Sequence, residues 1–127
     1  MVTAQDERTH ELAALLKVLA DPTRMRIYQL LRAGETCVCE IARALDLAEN
    51  LVSHHLGVLR KARLVQDRRD ERDARWVYYQ LDAERLAEVC THLGALFDPT
   101  TIGTRIPTCG PVAQIPLHHV KPQRPRR

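Results

Sequence analysis

The sequence predicts a mainly α-helical domain with one small β-hairpin, a winged helix-turn-helix, on three observations. Apolar residues make up 45% of the 127 and aromatics 4%, a balance suited to packed helices rich in Leu, Val, Ala and Ile. Two short amphipathic segments are joined by a three-residue turn, Asp46-Leu47-Ala48, the spacing of a helix-turn-helix. After them comes a charged turn and then Ala74-Arg75-Trp76-Val77-Tyr78-Tyr79-Gln80-Leu81, a β-branched and aromatic run that reads as the second strand of a hairpin, or wing.

The elements follow in order. Thr9 to Leu19 is a predicted helix: Leu12, Leu15, Leu16 and Leu19 recur at helical spacing, and Thr9 is its candidate cap. Asp21-Pro22 opens a second helix. Asp is a good N-cap, and Pro fits the first helical position, where its missing N–H is harmless. Met25, Ile27, Leu30 and Leu31 give that helix an apolar side, and Gly34 ends it with a conformation open to positive φ. A third helix is predicted from Val38 to Leu45, with Thr36 as its candidate cap and Ile41, Ala42 and Leu45 as its stripe. The fourth runs from Glu49 to Ala62, with Val52, Leu56 and Leu59 facing inward. Leu64 to Arg68 is the first hairpin strand. Asp82 caps a last helix to Phe97, striped by Leu86, Val89, Cys90, Leu93, Leu96 and Phe97.

At Asp98 the composition changes. Residues 98–127 hold six of the seven prolines, together with Arg105, Lys121, Arg124, Arg126 and Arg127. Proline removes N–H donors and blocks helix, so a loosely ordered basic tail is expected after a 1–97 domain. The formal net charge of +3 therefore belongs mostly to the tail, and affinity for a polyanion must come from a local patch. No stretch approaches the roughly 20 apolar residues of a membrane helix, and the N-terminal residues lack the apolar core of a signal peptide. A cytoplasmic protein is expected, in which the four cysteines stay reduced.

Two constellations carry chemistry. Glu49, Asn50, Ser53 and His54 lie on the outward side of the fourth helix, where Asn and Ser can read base edges or hold phosphates. Lys61, Arg68, Arg69, Arg72 and Arg75 follow it, placed to neutralise backbone phosphates. Charge alone would equally suit a solvated turn. The order helix, turn, helix, hairpin favours double-stranded DNA, with the fourth helix in the major groove.

The second constellation is Cys37-Val38-Cys39. On a regular helix, side chains two apart diverge by roughly 200°. At a helix start the first residue can turn inward, so that both thiolates grip one soft ion. Backbone N–H groups and the helix dipole there should also lower the thiol pKa. Closing the grip would distort the helix that supports the fourth. The plain alternative is a pair of small buried thiols. Oxidation of the pair to a disulfide is disfavoured by the strained ring. Arsenite wants a pyramid of three sulfurs, and Cd(II) or Pb(II) three or four thiolates. The third ligand is open between Cys109, Cys90 and an external thiol. Cys109 is favoured because Cys90 reads as a buried structural thiol on the last helix's stripe. His55 is expected at the helix-turn-helix seam, and His118-His119 in the solvated tail. Paired carboxylates, a nucleophile elbow and a phosphate loop are all missing, so no enzyme is expected.

Leu19-Ala20-Asp21-Pro22-Thr23-Arg24-Met25-Arg26-Ile27, Cys37-Val38-Cys39-Glu40-Ile41-Ala42, Val52-Ser53-His54-His55-Leu56-Gly57-Val58-Leu59 and Trp76-Val77-Tyr78-Tyr79-Gln80-Leu81 together resemble the ArsR/SmtB family of metal-responsive repressors, over roughly residues 9 to 97. The resemblance implies a homodimer packed through its first and last helices, binding to an imperfect inverted repeat, and release on ion binding, with Cys37 and Cys39 as ligands. Arsenite, As(III), is the inducer so implied, with Cd(II) or Pb(II) as the alternative. The chain departs from the pattern in three places. Ala42 stands where many arsenite repressors carry a third cysteine, no cysteine precedes Cys37, and Asp82-Ala83-Glu84 with a lone His92 does not match the zinc-sensing pattern of the last helix.

Overall fold

A computed structural model describes residues 3–111; the tail beyond 111, with His118 and His119, lies outside the described residues. The chain divides at Phe97–Asp98 into two compact units. The first contains α1 (Ala4–Leu19), α2 (Pro22–Leu31), β1 (Thr36–Cys37), α3 (Val38–Leu45), α4 (Glu49–Lys61), β2 (Val65–Arg69), β3 (Val77–Leu81) and α5 (Ala83–Leu96). The second begins with a short 3₁₀ turn, Pro99–Thr101. No helix among the described residues is long and apolar enough to cross a membrane.

Helix α1 starts one and a half turns earlier than the leucine spacing suggests. Thr3 and Asp6 form a reciprocal capping box, which satisfies orphan N–H groups at the helix start. The Thr9 hydroxyl instead donates to the Gln5 carbonyl within the helix. Helix α2 begins as expected, with Asp21 accepting from the Arg24 N–H and Pro22 in the first turn. Helix α3 ends on Asp46 at φ 53°, a left-handed position that Asp tolerates better than most residues. The following Leu47 N–H reaches back to the Ala42 carbonyl. This closure makes the α3–α4 turn tight.

Ile27, Ile41, Val52, Leu56, Leu59 and Leu64 are completely buried. They come from α2, α3, α4 and the start of the hairpin, so one core fixes the helix-turn-helix and the hairpin to each other. Arg24 ties three helices together: its Nε donates to the Val18 carbonyl of α1 at 2.7 Å, and its Nη1 lies 3.3 Å from His55 Nδ1 of α4.

The sheet has three strands, not two, in the order β1-β3-β2. Beside the hairpin, β1 pairs antiparallel with β3, Thr36 opposite Tyr79 and Cys37 opposite Tyr78.

Candidate ion site and nucleic-acid interface

The thiol pair sits where a strand becomes a helix. Cys37 closes β1 with an extended backbone, φ −111° and ψ 167°, and occupies the N-cap of α3. That break removes the divergence a continuous helix would impose, and Cys37 Sγ lies 3.0 Å from Cys39 Sγ. Cys37 is buried and Cys39 half-buried. The Glu40 carboxylate accepts from the Thr36 hydroxyl at 2.9 Å and from the Cys37 thiol at 3.5 Å. Thr36, the expected cap of α3, therefore belongs to the strand and its hydroxyl serves the Glu40 side chain, while Cys37 takes the N-cap position without a side-chain cap bond.

Burial pushes the Cys37 thiol above its ordinary pKa, and hydrogen bonding with Cys39 adds to the rise; the opposing Glu40 backbone N–H is outweighed. The lowering expected of the helix start is therefore present but outweighed by burial. An ion that binds the Cys37 thiol displaces its proton, and the raised pKa opposes that step.

Cys90 is exposed on α5, while Val89 beside it is buried. The stripe rotates so that Leu86, Val89 and Leu93 face the core, which corrects the expectation of a buried Cys90. Cys109 is exposed in the second unit. Among the described residues no group of three or more His, Cys, Asp or Glu side chains converges in a metal-binding arrangement.

Glu49, Asn50, Ser53 and His54 are exposed on α4, opposite the buried Val52, His55, Leu56 and Leu59. Beside the thiols opens a cleft of about 700 Å³, walled by Glu49 and Ser53 of α4 and by Arg75, Trp76, Val77 and Tyr79 of the hairpin. The sulfurs thus share one cavity with the outward residues at the start of α4 and with the wing.

The structure divides the cations of the α4 end and the hairpin into two groups. Lys61 and Arg72 are exposed and make no ion pair among the described residues. Arg69 donates to the Ala74 carbonyl at 2.8 Å and Arg75 pairs with Asp73 at 2.8 Å, both near the hairpin tip. Arg68 is bound more firmly: its Nε and Nη2 reach the two Glu35 oxygens at 2.8 and 2.6 Å, and its guanidinium lies 4.8 Å from the Tyr78 ring centre. Sequence reasoning missed Glu35 and Glu40 because single acids in a polar segment carry no local signal. It missed β1 because two residues are too few to show a period.

The model of the bacterial regulatory proteins of the arsR family matches residues 21–67, which span α2, β1, α3, α4 and the start of β2. The chain is similar to the arsenic resistance transcriptional regulator ArsR1 of Pseudomonas putida, 46% identical over 71 residues, 55% of this chain and 53% of that protein. It is also similar to the arsenical resistance operon repressor of Escherichia coli, 44% identical over 68 residues, 53% of this chain and 56% of that protein. The chain thus spans little more than half the length of these two relatives. A transcriptional repressor SmtB homolog of Synechocystis is 38% identical over 91 residues, 68% of this chain and 67% of that protein. Among solved structures, a possible transcriptional regulator for arsenical resistance aligns at TM-score 0.54 and 41% identity, over 69% of this chain and 84% of that one. A homodimeric winged helix-turn-helix DNA-binding domain from Mycobacterium bovis, a possible ArsR-family regulator, aligns at TM-score 0.61 and 25% identity, over 80% of this chain and 92% of that one.

Proposed function

This chain belongs to the arsR family of bacterial regulatory proteins, and from that premise we propose that it is a transcriptional repressor rather than an enzyme, a cytoplasmic homodimer that leaves its operator when Cys37 and Cys39 capture arsenite. The observation that supports the reading best is the 3.0 Å separation of the two sulfurs in a cleft that Glu49 and Ser53 of α4 also wall. Two thiolates sharing one ion at bond lengths of about 2.3 Å stand roughly 3.3 Å apart at a right angle and roughly 3.8 Å apart at a tetrahedral one. The existing spacing is nearer the pyramidal geometry arsenite prefers. In this reading Cys109 would supply the third sulfur, and three thiols binding As(OH)3 would exchange three As–O bonds for three As–S bonds and release three waters, each thiol proton leaving on a hydroxyl.

Asn50, Ser53, His54 and Glu49 meet the major groove in this reading, and Lys61, Arg69, Arg72 and Arg75 the phosphates of an inverted repeat. Leu16 of α1 and Leu96 and Phe97 at the end of α5 are large exposed apolar side chains, Phe97 at 72% exposure. They suit a helical surface that pairs with a second copy.

The test is fluorescence anisotropy under reducing conditions, on a duplex that the wild-type protein itself selects from random DNA. Arsenite is titrated first, then Cd(II), Pb(II) and Zn(II). Release by near-stoichiometric arsenite, lost in Cys37→Ser while DNA affinity is kept, is expected. Release by Cd(II) or Pb(II) alone would replace the inducer. Full release in Cys37→Ser would overturn the thiolate site.

A further inference from the structure

The Glu35–Arg68 pair closes a ring of contacts around the thiol strand. Glu35 immediately precedes β1. Cys37, two residues on, sits opposite Tyr78 of β3, and Tyr78 sits opposite Arg68 of β2. Arg68 stacks over the Tyr78 ring and returns to Glu35 through two parallel hydrogen bonds. Such fork-to-carboxylate pairs fix orientation as well as distance, and a guanidinium over an aromatic face adds a second restraint. At the hairpin turn, Asp70 accepts from the Arg72 and Asp73 N–H groups. The path from Cys37 to the hairpin strands thus runs through strand pairing and charge-assisted contacts, without passing through α3 or α4.

From this ring we infer that Arg68 and Glu35 are positioning residues that carry ion capture at Cys37 to the wing. The inference rests on the thiolate reading above. Capture opens the sulfur pair from 3.0 Å and turns Cys37 toward the first turn of α3. Cys37 is also half of the Cys37–Tyr78 register, so the displacement of β1 bears on its pairing with β3. Because Glu35 and Arg68 clamp the segment entering β1 to β2, the hairpin moves as one piece with the strand. With the clamp cut, β1 can shift alone and the wing stays where DNA needs it. Arg68 on this account is not a phosphate contact, in contrast to Lys61 and Arg72.

Simple electrostatics and the clamp predict different outcomes. If Arg68 only neutralised a phosphate, Arg68→Gln would weaken DNA binding and reduce the salt slope of log K by about one. Glu35→Gln, which removes a negative charge, would then tighten DNA binding and leave release unchanged. The clamp instead makes Glu35→Gln and Arg68→Gln alike: each keeps ion capture but loses most of the change in DNA affinity that capture causes. Restoring the pair in reverse, Glu35→Arg with Arg68→Glu, regains part of it.

The experiment measures the DNA dissociation constant of the full chain with and without saturating arsenite, for wild type, both single variants and the reversed pair. Arsenite capture is followed separately by protection of thiols from alkylation. A fall in the wild-type ratio by about tenfold or more in both single variants, with thiol protection intact and partial recovery in the reversed pair, is the expected result. Single variants that keep the wild-type ratio would overturn the clamp. So would opposite effects in Glu35→Gln and Arg68→Gln, or the loss of one unit of salt slope in Arg68→Gln. A wild-type protein that arsenite does not release would overturn the thiolate reading and this inference with it, whereas release in wild type with unchanged single variants would sink only the clamp.

Discussion

His55 makes the helix-turn-helix sensitive to acid in a way that can be worked out from its surroundings. The side chain is 7% exposed and faces the Arg24 guanidinium, whose Nη1 lies 3.3 Å from Nδ1. A guanidinium only donates, so Nδ1 accepts and the ring proton of the neutral form sits on Nε2. Burial is the largest cause holding the imidazole pKa below its ordinary 6.5; Asp21 opposes the shift, and Arg24 and His54 add to it. Protonation would place a second cation against Arg24 and abolish the acceptor. The folded state therefore binds fewer protons at His55 than the unfolded chain. Stability is complete above the unfolded pKa and is lost as pH falls through that value toward the folded one. One proton sets the slope at no more than about 1.4 kcal/mol per pH unit. Urea unfolding followed by circular dichroism, at fixed protein concentration and pH about 7.5, 6.5 and 5.5, measures it in wild type and in His55→Gln, whose amide oxygen can still accept from Arg24. The stability advantage of wild type over the variant should shrink with falling pH at up to about that slope. Curves that stay parallel would show that His55 is not held neutral by the fold.

The remaining predictions concern the core, the reading helix and the third sulfur. Ile41 is fully buried in α3, so Ile41→Ala should cost about 2–5 kcal/mol in urea unfolding; a loss under about 1 kcal/mol would mean that the helix repacks around the gap. Asn50→Ala and Ser53→Ala change exposed positions, so the melting temperature should hold, while competition between operator and random duplex should lose roughly 1–3 kcal/mol of discrimination. Undiminished discrimination in both variants would remove the start of α4 from the groove. Cys109→Ser should weaken arsenite capture at least tenfold, about 1.4 kcal/mol, and leave DNA affinity unchanged. Equal arsenite affinity would pass the third position to Cys90 or to an external thiol.

Short-range chemistry was enough to read most of the scaffold. Asp21-Pro22 specifies a helix start wherever it lies, because the carboxylate cap and the fixed φ of proline are local. Val52, Leu56 and Leu59 are inward because helical geometry aligns them on one face, and His55 joins them at the seam for the same reason. That Cys37 and Cys39 come together was legible for the related reason that a helix start frees one side chain. Other features depended on residues far apart in the chain. Strand β1 exists only because Tyr78 and Tyr79 supply the missing hydrogen-bonding edge. The raised pKa of Cys37 follows from the side chains that bury it, which outweigh the helix-start effect that the sequence suggested. Cys90 points outward because packing against the rest of the domain sets the rotation of α5, and a stripe of six apolar positions on α5 is too wide to choose it. Arg68, one charge among many in a basic turn, became a clamp only when folding brought it to Glu35, 33 residues earlier. Periodicity, capping and turn chemistry act within a few residues and can be read in one dimension, whereas burial, strand pairing and ion pairing depend on which distant groups the fold brings together.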